Sequence, residues 1–291
     1  MSTSLLLTGL LASYVAAETY SITWERLVIK DPQLPESFHN LKVIFVSDIH
    51  HGRMASQKRL QVMVDKINRA HPDLVLFGGD YLQTYRDNHQ SMKRAYDQLV
   101  CALQGLKPCE FGIYAVMGNH DYVFSPDYNR QQLAQAGIEM LINQGVNLKR
   151  GQEKIRLEGV DDLWYGEPNM KAHRGISPET FTLLVTHQPN FIDQIKKEAG
   201  INFVMAGHTH GGQVKMFNYL PVMPASISRW EYTAGLVETP QARMLVSSGF
   251  GNVAPYFRFF SPPKIHEIIF KSAPHVKMNT RQKLFKKAKK D

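Results

Sequence analysis

Two aspartates, one asparagine and four histidines carry the chemistry that can be read directly from this chain. In Asp48-Ile49-His50, side chains two apart in an extended segment point the same way, so a carboxylate oxygen and an imidazole nitrogen converge on one cation. His208-Thr209-His210 repeats the spacing further along. Asp80 follows Gly78-Gly79, which lets the backbone turn closely around an ion. Asn119 offers a neutral amide oxygen after Gly118, and His187 adds another imidazole. This mixed oxygen and nitrogen set suits Mn, Fe, Zn or Co better than Ca, and it holds no thiolate that would favour Zn alone. A lone histidine in a loop is usually structural, and Gly-Gly-Asp is an ordinary turn. Five such pieces in chain order, each after a short apolar run, are not explained by packing.

The elements that position these residues follow from periodicity. Tyr20 to Ile29 alternates and predicts a strand. Leu41 to Val46, Leu74 to Phe77 and Gly112 to Met117 read as buried strands ending at Ser47-Asp48, at Gly78-Gly79-Asp80 and at Gly118-Asn119-His120-Asp121. Between them, Ser56 to Ala70 has helical spacing with Ser56 as N-cap, and a second helix is predicted from about Ser91 to Gln104. Ser125-Pro126-Asp127 opens a third helix that runs to Gly137. The second half predicts strands at 155–160, 181–185, 203–206, 243–247 and 264–270. Alternating strands and helices argue for an α/β fold, whose ligands bind beyond the C-terminal ends of the strands.

Ser47-Asp48-Ile49-His50, Gly79-Asp80, Gly118-Asn119-His120-Asp121, Thr186-His187 and Gly207-His208-Thr209-His210 resemble the five blocks of the calcineurin-like metallophosphoesterases. The likeness is greatest to a bacterial, often membrane-anchored branch that includes phosphodiesterases and a UDP-2,3-diacylglucosamine hydrolase. It extends through Leu157 to Asp162, Gly211-Gly212-Gln213 and Val246 to Gly251, and covers roughly residues 20–270. The resemblance implies a four-layer α/β/β/α sandwich with two mixed β-sheets and a site for two divalent metal ions, Mn foremost. By motif position, Asp48, His50 and His210 would hold one ion, and Asn119, His187 and His208 the other. Asp80 would bridge them. His120 would protonate the leaving oxygen, with Asp121 orienting it.

Two positions depart from that pattern. His51 stands where the family usually has an apolar residue; it reads as a substrate contact or as a solvent-facing loop residue. Lys264 stands where the branch commonly has Glu. Arg258 matches an Arg of the branch's closing motif and reads equally as a substrate-phosphate contact or as part of a structural salt bridge. Tyr81, Tyr85, Tyr122, Phe124, Trp164 and Tyr165 flank the motifs, either lining a pocket or packing between elements. Cys101 and Cys109 form no CxxC pair and read as buried structural thiols.

Of the formal charge of +8, the stretch Lys271 to Asp291 carries +7, from eight basic residues and one acidic. The rest of the chain is nearly neutral, which argues against an extended nucleic-acid groove. The basic tail suits an anionic surface, or is a solvated end. The first seventeen residues carry no charged side chain, and Leu5 to Ala17 is apolar. Thirteen residues are short of the ~20 needed to span a bilayer. A membrane anchor, a signal peptide and a buried segment are the three readings. Arg26 and Lys30 behind the run favour a cytoplasmic body.

The domain expectation is an N-terminal apolar segment at 1–19, a catalytic domain at 20–270 and a basic tail at 271–291. The functional expectation is a two-metal phosphodiesterase or pyrophosphohydrolase, membrane-associated, acting on a phosphoester that is lipid-linked or nucleotide-lipid in character. The rivals are a soluble nuclease or cyclic-nucleotide phosphodiesterase with the same site, and a non-catalytic scaffold.

Overall fold

The computed structural model describes residues 3–52, 56–83, 89–123, 125–216 and 228–274. The expected strands form, with ends shifted by a few residues: β1 (Thr23–Asp31), β2 (Leu41–Val46), β3 (Leu74–Phe77) and β4 (Ile113–Ala115). So do the helices α2 (Gln57–Ala70), α3 (His89–Leu103) and α4 (Pro126–Gln135), behind an N-terminal helix α1 (Thr3–Tyr20). Ser56 caps α2 by accepting from the Arg59 amide, and Ser125 caps α4 by accepting from the Tyr128 amide. Both caps satisfy donors that have no partner within the helix.

Three strands were not legible from periodicity. These are β5 (Glu139–Met140), β6 (Gln144–Arg150) and β10 (Gly235–Glu238). The first is only two residues long, and the other two lie at a sheet edge, where solvent relaxes the demand for apolar alternation. The remaining strands are β7 (Glu153–Gly159), β8 (Thr182–Val185), β9 (Phe203–Ala206), β11 (Arg243–Val246) and β12 (Lys264–Ser272).

Two six-stranded sheets result, in the orders β1-β12-β2-β3-β4-β5 and β10-β11-β9-β8-β7-β6. Each mixes parallel and antiparallel pairs. The sheets pack face to face because their strands are apolar on both sides. Val43 and Phe45 point into the inter-sheet core with Leu183, Phe203, Met205 and Leu245. Their neighbours Ile44 and Val46 point outward against Leu60 and Val64 of α2 and Leu99 of α3. This is the two-residue period of a strand buried on both faces.

The outer face of the second sheet, Leu184, Val204, Met244 and Val246, is also covered. Among the described residues its cover is short 3₁₀ turns, Pro189–Gln194 and Trp230–Thr233, which contribute Phe191, Ile192 and Tyr232. Among the described residues, these turns form the fourth layer of the expected sandwich.

Lys264 opens β12 and reaches the carboxylate of Glu25 on the adjacent parallel strand at 2.5 Å. The departure from Glu at this position is thus matched by an acidic partner across the sheet.

Candidate metal centre

Strand ends from both sheets deliver the seven expected ligands to one place. Asp48 and His50 follow β2, Asp80 follows β3, Asn119 follows β4, His187 follows β8, and His208 and His210 follow β9. Donor atoms of Asp48, His50 and His210 lie within 4.8 Å of one another, as do those of Asp80, His187 and His208. Asp80 stands between the groups, with Oδ2 3.5 Å from His50 Nε2 and 3.2 Å from His187 Nε2. The Asn119 amide oxygen is 3.2 Å from His187 Nε2. His120 lines the same cleft and also comes within 4.8 Å of His50 and Asp80.

The backbone is bent to achieve this. Asp48 (54°), His50 (44°), Asp80 (57°), His208 (72°) and His210 (51°) all have positive φ. Such left-handed residues cost about 1–3 kcal/mol each and persist only where the surroundings hold them. Gly79 supplies close approach as well as a φ of +87°. A Cβ there would stand 2.6 Å from the Gly118 amide nitrogen and 2.9 Å from His187 Nδ1.

A second tier of hydrogen bonds fixes the ligands. His187 Nδ1 meets the Gly78 carbonyl at 2.7 Å, which leaves Nε2 for a cation. Asp48 accepts from the Ser47 hydroxyl at 2.5 Å and from the His208 amide at 3.0 Å. Asp80 Oδ1 accepts from the His120 amide, which turns Oδ2 toward the histidines. Asp121 accepts from the amides of Asp80, Tyr81 and Gly118. Its two oxygens therefore lock the 78–81 turn to the 118–121 turn that carries His120.

Burial pushes His50 and His208 down to about 3, so both imidazoles are neutral, the form that ligates a metal. Burial opposes a charge on His187 too, but the Asp80 carboxylate overcomes it and lifts that ring to about 10. Burial likewise works against the charge of Asp80, and the surrounding imidazoles hold it well below the ordinary carboxylate range. Carboxylates and imidazoles converging at 3.1–3.6 Å fit divalent cations, whose charge would take the place of the His187 proton in compensating the buried anions.

The cleft over this centre has a volume of about 710 Å³. Its walls include Val123, Trp164, Tyr165, Val253 and Tyr256. Trp164 meets the His208 ring edge-on at 4.5 Å between centroids. Asp162 holds this wall by accepting from the amides of Trp164 and Tyr165. Tyr81 is fully buried and donates to the Val116 carbonyl, so it packs; Tyr122 donates to Asp161. Tyr85 and Phe124 lie outside the described residues.

His51 and Arg258 are both buried. His51 is 2% exposed, with Nε2 3.2 Å from Gln98 Oε1, and is not a solvent-facing loop residue. Arg258 is 0% exposed. Its guanidinium is committed to backbone carbonyls and to Asn252, with no carboxylate pair among the described residues. Cys109 is half-buried and Cys101 is exposed, which corrects the buried reading for Cys101.

Residues 41–212 match the family described as calcineurin-like phosphoesterase, and the chain belongs to that family. It is a metal-dependent phosphoesterase. Its relatives include an uncharacterized metallophosphoesterase of Bacillus subtilis (strain 168), YkuE, 27% identical over 88% of this chain and 87% of the relative. An Aquifex aeolicus (strain VF5) metallophosphoesterase is 28% identical, over 88% and 94%. A zebrafish transmembrane protein with metallophosphoesterase domain is 29% identical over 83% of this chain, which spans only 55% of that relative. Among solved structures, a dimetal phosphatase from Danio rerio aligns over 72% of this chain and 88% of its own, at 12% identity and a TM-score of 0.46.

Proposed function

We propose that this phosphoesterase is a two-metal phosphodiesterase or pyrophosphohydrolase working at a membrane surface on a phosphate-containing lipid or nucleotide-lipid. The observation that supports the reading is a set of exposed apolar side chains on α1 that packs onto the loop leading to the metal cleft. Leu5, Leu6, Leu7, Leu10 and Leu11 of α1 are 53–63% exposed, which speaks against a buried N-terminal segment. Tyr14 packs on Phe259 and Phe260, and Phe257 and Phe260 are exposed beside it. The same loop continues back to Val253, Ala254 and Tyr256 in the cleft wall. A substrate with its phosphoryl group at the metals and acyl chains in a bilayer would follow that loop.

No described helix is long and apolar enough to cross a membrane. The 18 residues of α1 reach about 27 Å at 1.5 Å per residue, against a hydrocarbon core of about 30 Å. Our reading is therefore attachment, with Arg26 and Lys30 favouring the cytoplasmic face. The expected contribution of the basic tail falls on Val276 to Lys290, outside the described residues. The zebrafish relative's name, a transmembrane protein, is in keeping with membrane attachment.

A bound metal pair, with Mn the first ion to test, supplies Lewis-acid polarisation of the phosphoryl oxygens and of water. The chain's own residues do the rest. Asp80 sits between the ligand groups, Asp121 holds the two turns together, and His120 at the cleft donates a proton to the departing oxygen. The sharpest candidate substrate is UDP-2,3-diacylglucosamine, cleaved at its pyrophosphate.

The test is a metal-supplemented screen comparing UDP-2,3-diacylglucosamine and glycerophosphodiesters in anionic vesicles with cyclic nucleotides and bis-p-nitrophenyl phosphate in solution. A higher kcat/KM on vesicles, together with co-sedimentation of the protein, is expected. Preference for soluble nucleotides with no vesicle binding would replace this reading by the soluble phosphodiesterase.

A further inference from the structure

Arg258 is a buried cation a few ångströms from a site built to hold cations. Burial pushes its guanidinium down to about 9, so the position is electrostatically unfavourable. It is kept by an unusually complete set of acceptors. Nε donates to Asn252 Oδ1 at 2.6 Å, Nη1 to the carbonyls of Ser261 (2.8 Å) and His210 (3.2 Å), and Nη2 to the Gly251 carbonyl at 2.5 Å. A planar fork with five donors can bind these diverging acceptors at once; an ammonium cannot.

One of those acceptors, the His210 carbonyl, belongs to a turn that supplies a metal subsite, and another, Gly251, is bonded to the turn that supplies the rest of it. His210 is itself a ligand, held with a φ of +51°, and its carbonyl is fixed by Arg258 and by the Ser261 hydroxyl at 3.1 Å. Gly251 lies against the other turn, where its amide donates to the Asp48 carbonyl at 2.6 Å and the Phe250 amide donates to the Ser47 carbonyl at 2.9 Å. Arg258 thus straps His210 to Asp48 and His50 through backbone, and its Nη2 also stands 3.5 Å from Nδ1 of the His210 ring. Among the described contacts, none runs from Arg258 to Asp80, Asn119, His187 or His208.

The loop that carries Arg258 is in turn gripped by the last turn of α1. Thr19 Oγ accepts from the Arg258 amide at 2.9 Å. The Glu18 carboxylate accepts from the amides of Phe260 (2.9 Å) and Ser261. Both residues are buried although most of the helix before them is exposed. A helix that served only as an attachment handle would need no such fixed junction.

We infer that Arg258 is a positioning residue for the Asp48–His50–His210 metal subsite, and that Glu18 and Thr19 at the end of α1 hold it in place. The N-terminal helix is then a structural part of one of the two subsites. The inference rests on the two-metal reading of the centre.

The test uses the full chain and reads metal, not turnover. Wild type, Arg258→Met, Arg258→Lys and the Glu18→Gln/Thr19→Val double variant are loaded with Mn, and bound ions are counted by elemental analysis after dialysis against graded chelator. Wild type should retain two ions. Arg258→Met should lose one at chelator concentrations about tenfold lower than wild type does, while the second ion stays as in wild type. Arg258→Lys should resemble Met, since the ammonium cannot span the acceptors. The double variant should show the same one-ion weakening to a smaller degree. Retention of the second ion serves as the folding control, and added guanidinium should restore the lost ion to Arg258→Met. Two ions held as tightly as in wild type would overturn the inference, and so would parallel loss of both ions. A wild type that binds a single ion would instead sink the two-metal reading, which separates the two failures.

Discussion

His50 and His210 aim their Nε2 atoms at each other across 3.1 Å. Both rings are buried, and burial holds both well below the ordinary histidine range, so both are neutral. Asp80 Oδ2 lies 3.5 Å from the first nitrogen and Asp48 Oδ1 3.6 Å from the second. Lone pairs and carboxylates converging in this way repel one another unless a cation stands between them. That relation is the physical core of the metal assignment, and it shapes the expected outcomes below.

Asp80 is the residue whose carboxylate reaches toward both ligand groups. Asp80→Ala is expected to lose both ions on dialysis, whereas His50→Ala keeps one. Elemental analysis of the two variants after Mn loading checks this. Equal stoichiometry in the two would remove the bridging role.

Gly118 is required by space. A Cβ there would run into Asp80 Oδ1 and would stand 2.8 Å from His187 Cε1. Gly118→Ala should cost about 1–3 kcal/mol of stability, the usual range for overpacking, and should weaken metal binding in parallel. Urea unfolding with and without Mn measures both effects. An unchanged midpoint in both conditions would show that the turn gives way freely.

His120→Ala should keep both ions and lower kcat by about 10²–10⁴-fold, the usual contribution of general acid catalysis. The defect should be large for an alkyl phosphodiester, whose alkoxide needs a proton to depart. It should be small for a p-nitrophenyl ester and for a pyrophosphate, whose leaving groups are already stable anions. Rates measured across that leaving-group series decide it. Uniform defects would point to charge stabilisation or substrate positioning by His120 rather than proton transfer.

Glu25 offers a pH-dependent readout away from the centre. Proximity of His266, at 2.9 Å, opposed by burial and aided by Lys264, brings its carboxyl from 4.5 down to about 2. The folded value lies below the unfolded one, so the stabilisation is complete above pH 4.5 and is lost as pH falls toward 2. Because the Glu25 side chain is 29% exposed, screening reduces the contribution to about 1 kcal/mol. Glu25→Gln should therefore be destabilised by about that amount near neutrality, and the gap should close in acid. A gap independent of pH in urea titrations would mean that packing, not charge, sets the effect.

Local spacing determined most of what identifies this protein. Although the folded backbone is bent to positive φ at all four rather than extended, and His208 and His210 join different groups of donors, Asp48 with His50, and His208 with His210, stood out by their two-residue spacing. The same holds for the capped starts of α2 and α4, where a serine oxygen serves amides only a few residues ahead. The alternating apolar runs likewise fixed the α/β class.

What tertiary structure decided were relations between segments distant in the chain. No spacing rule joins Thr19 to Arg258 or Gly251 to Asp48, because these are hydrogen bonds across sheet ends and loops. Arg258 read as a substrate contact or a salt bridge because a sequence shows a charge but not its burial; the folded chain surrounds it with carbonyls. His51 was misjudged for the same reason, since exposure is a property of everything packed around a residue. The carboxylate of Asp121 accepts from the backbone amides of two turns, a role that no spacing shows, because buried N–H groups without partners are costly. Residue types and spacing thus named the candidate ligands, while the packing of two sheets determined which groups hold those side chains in place.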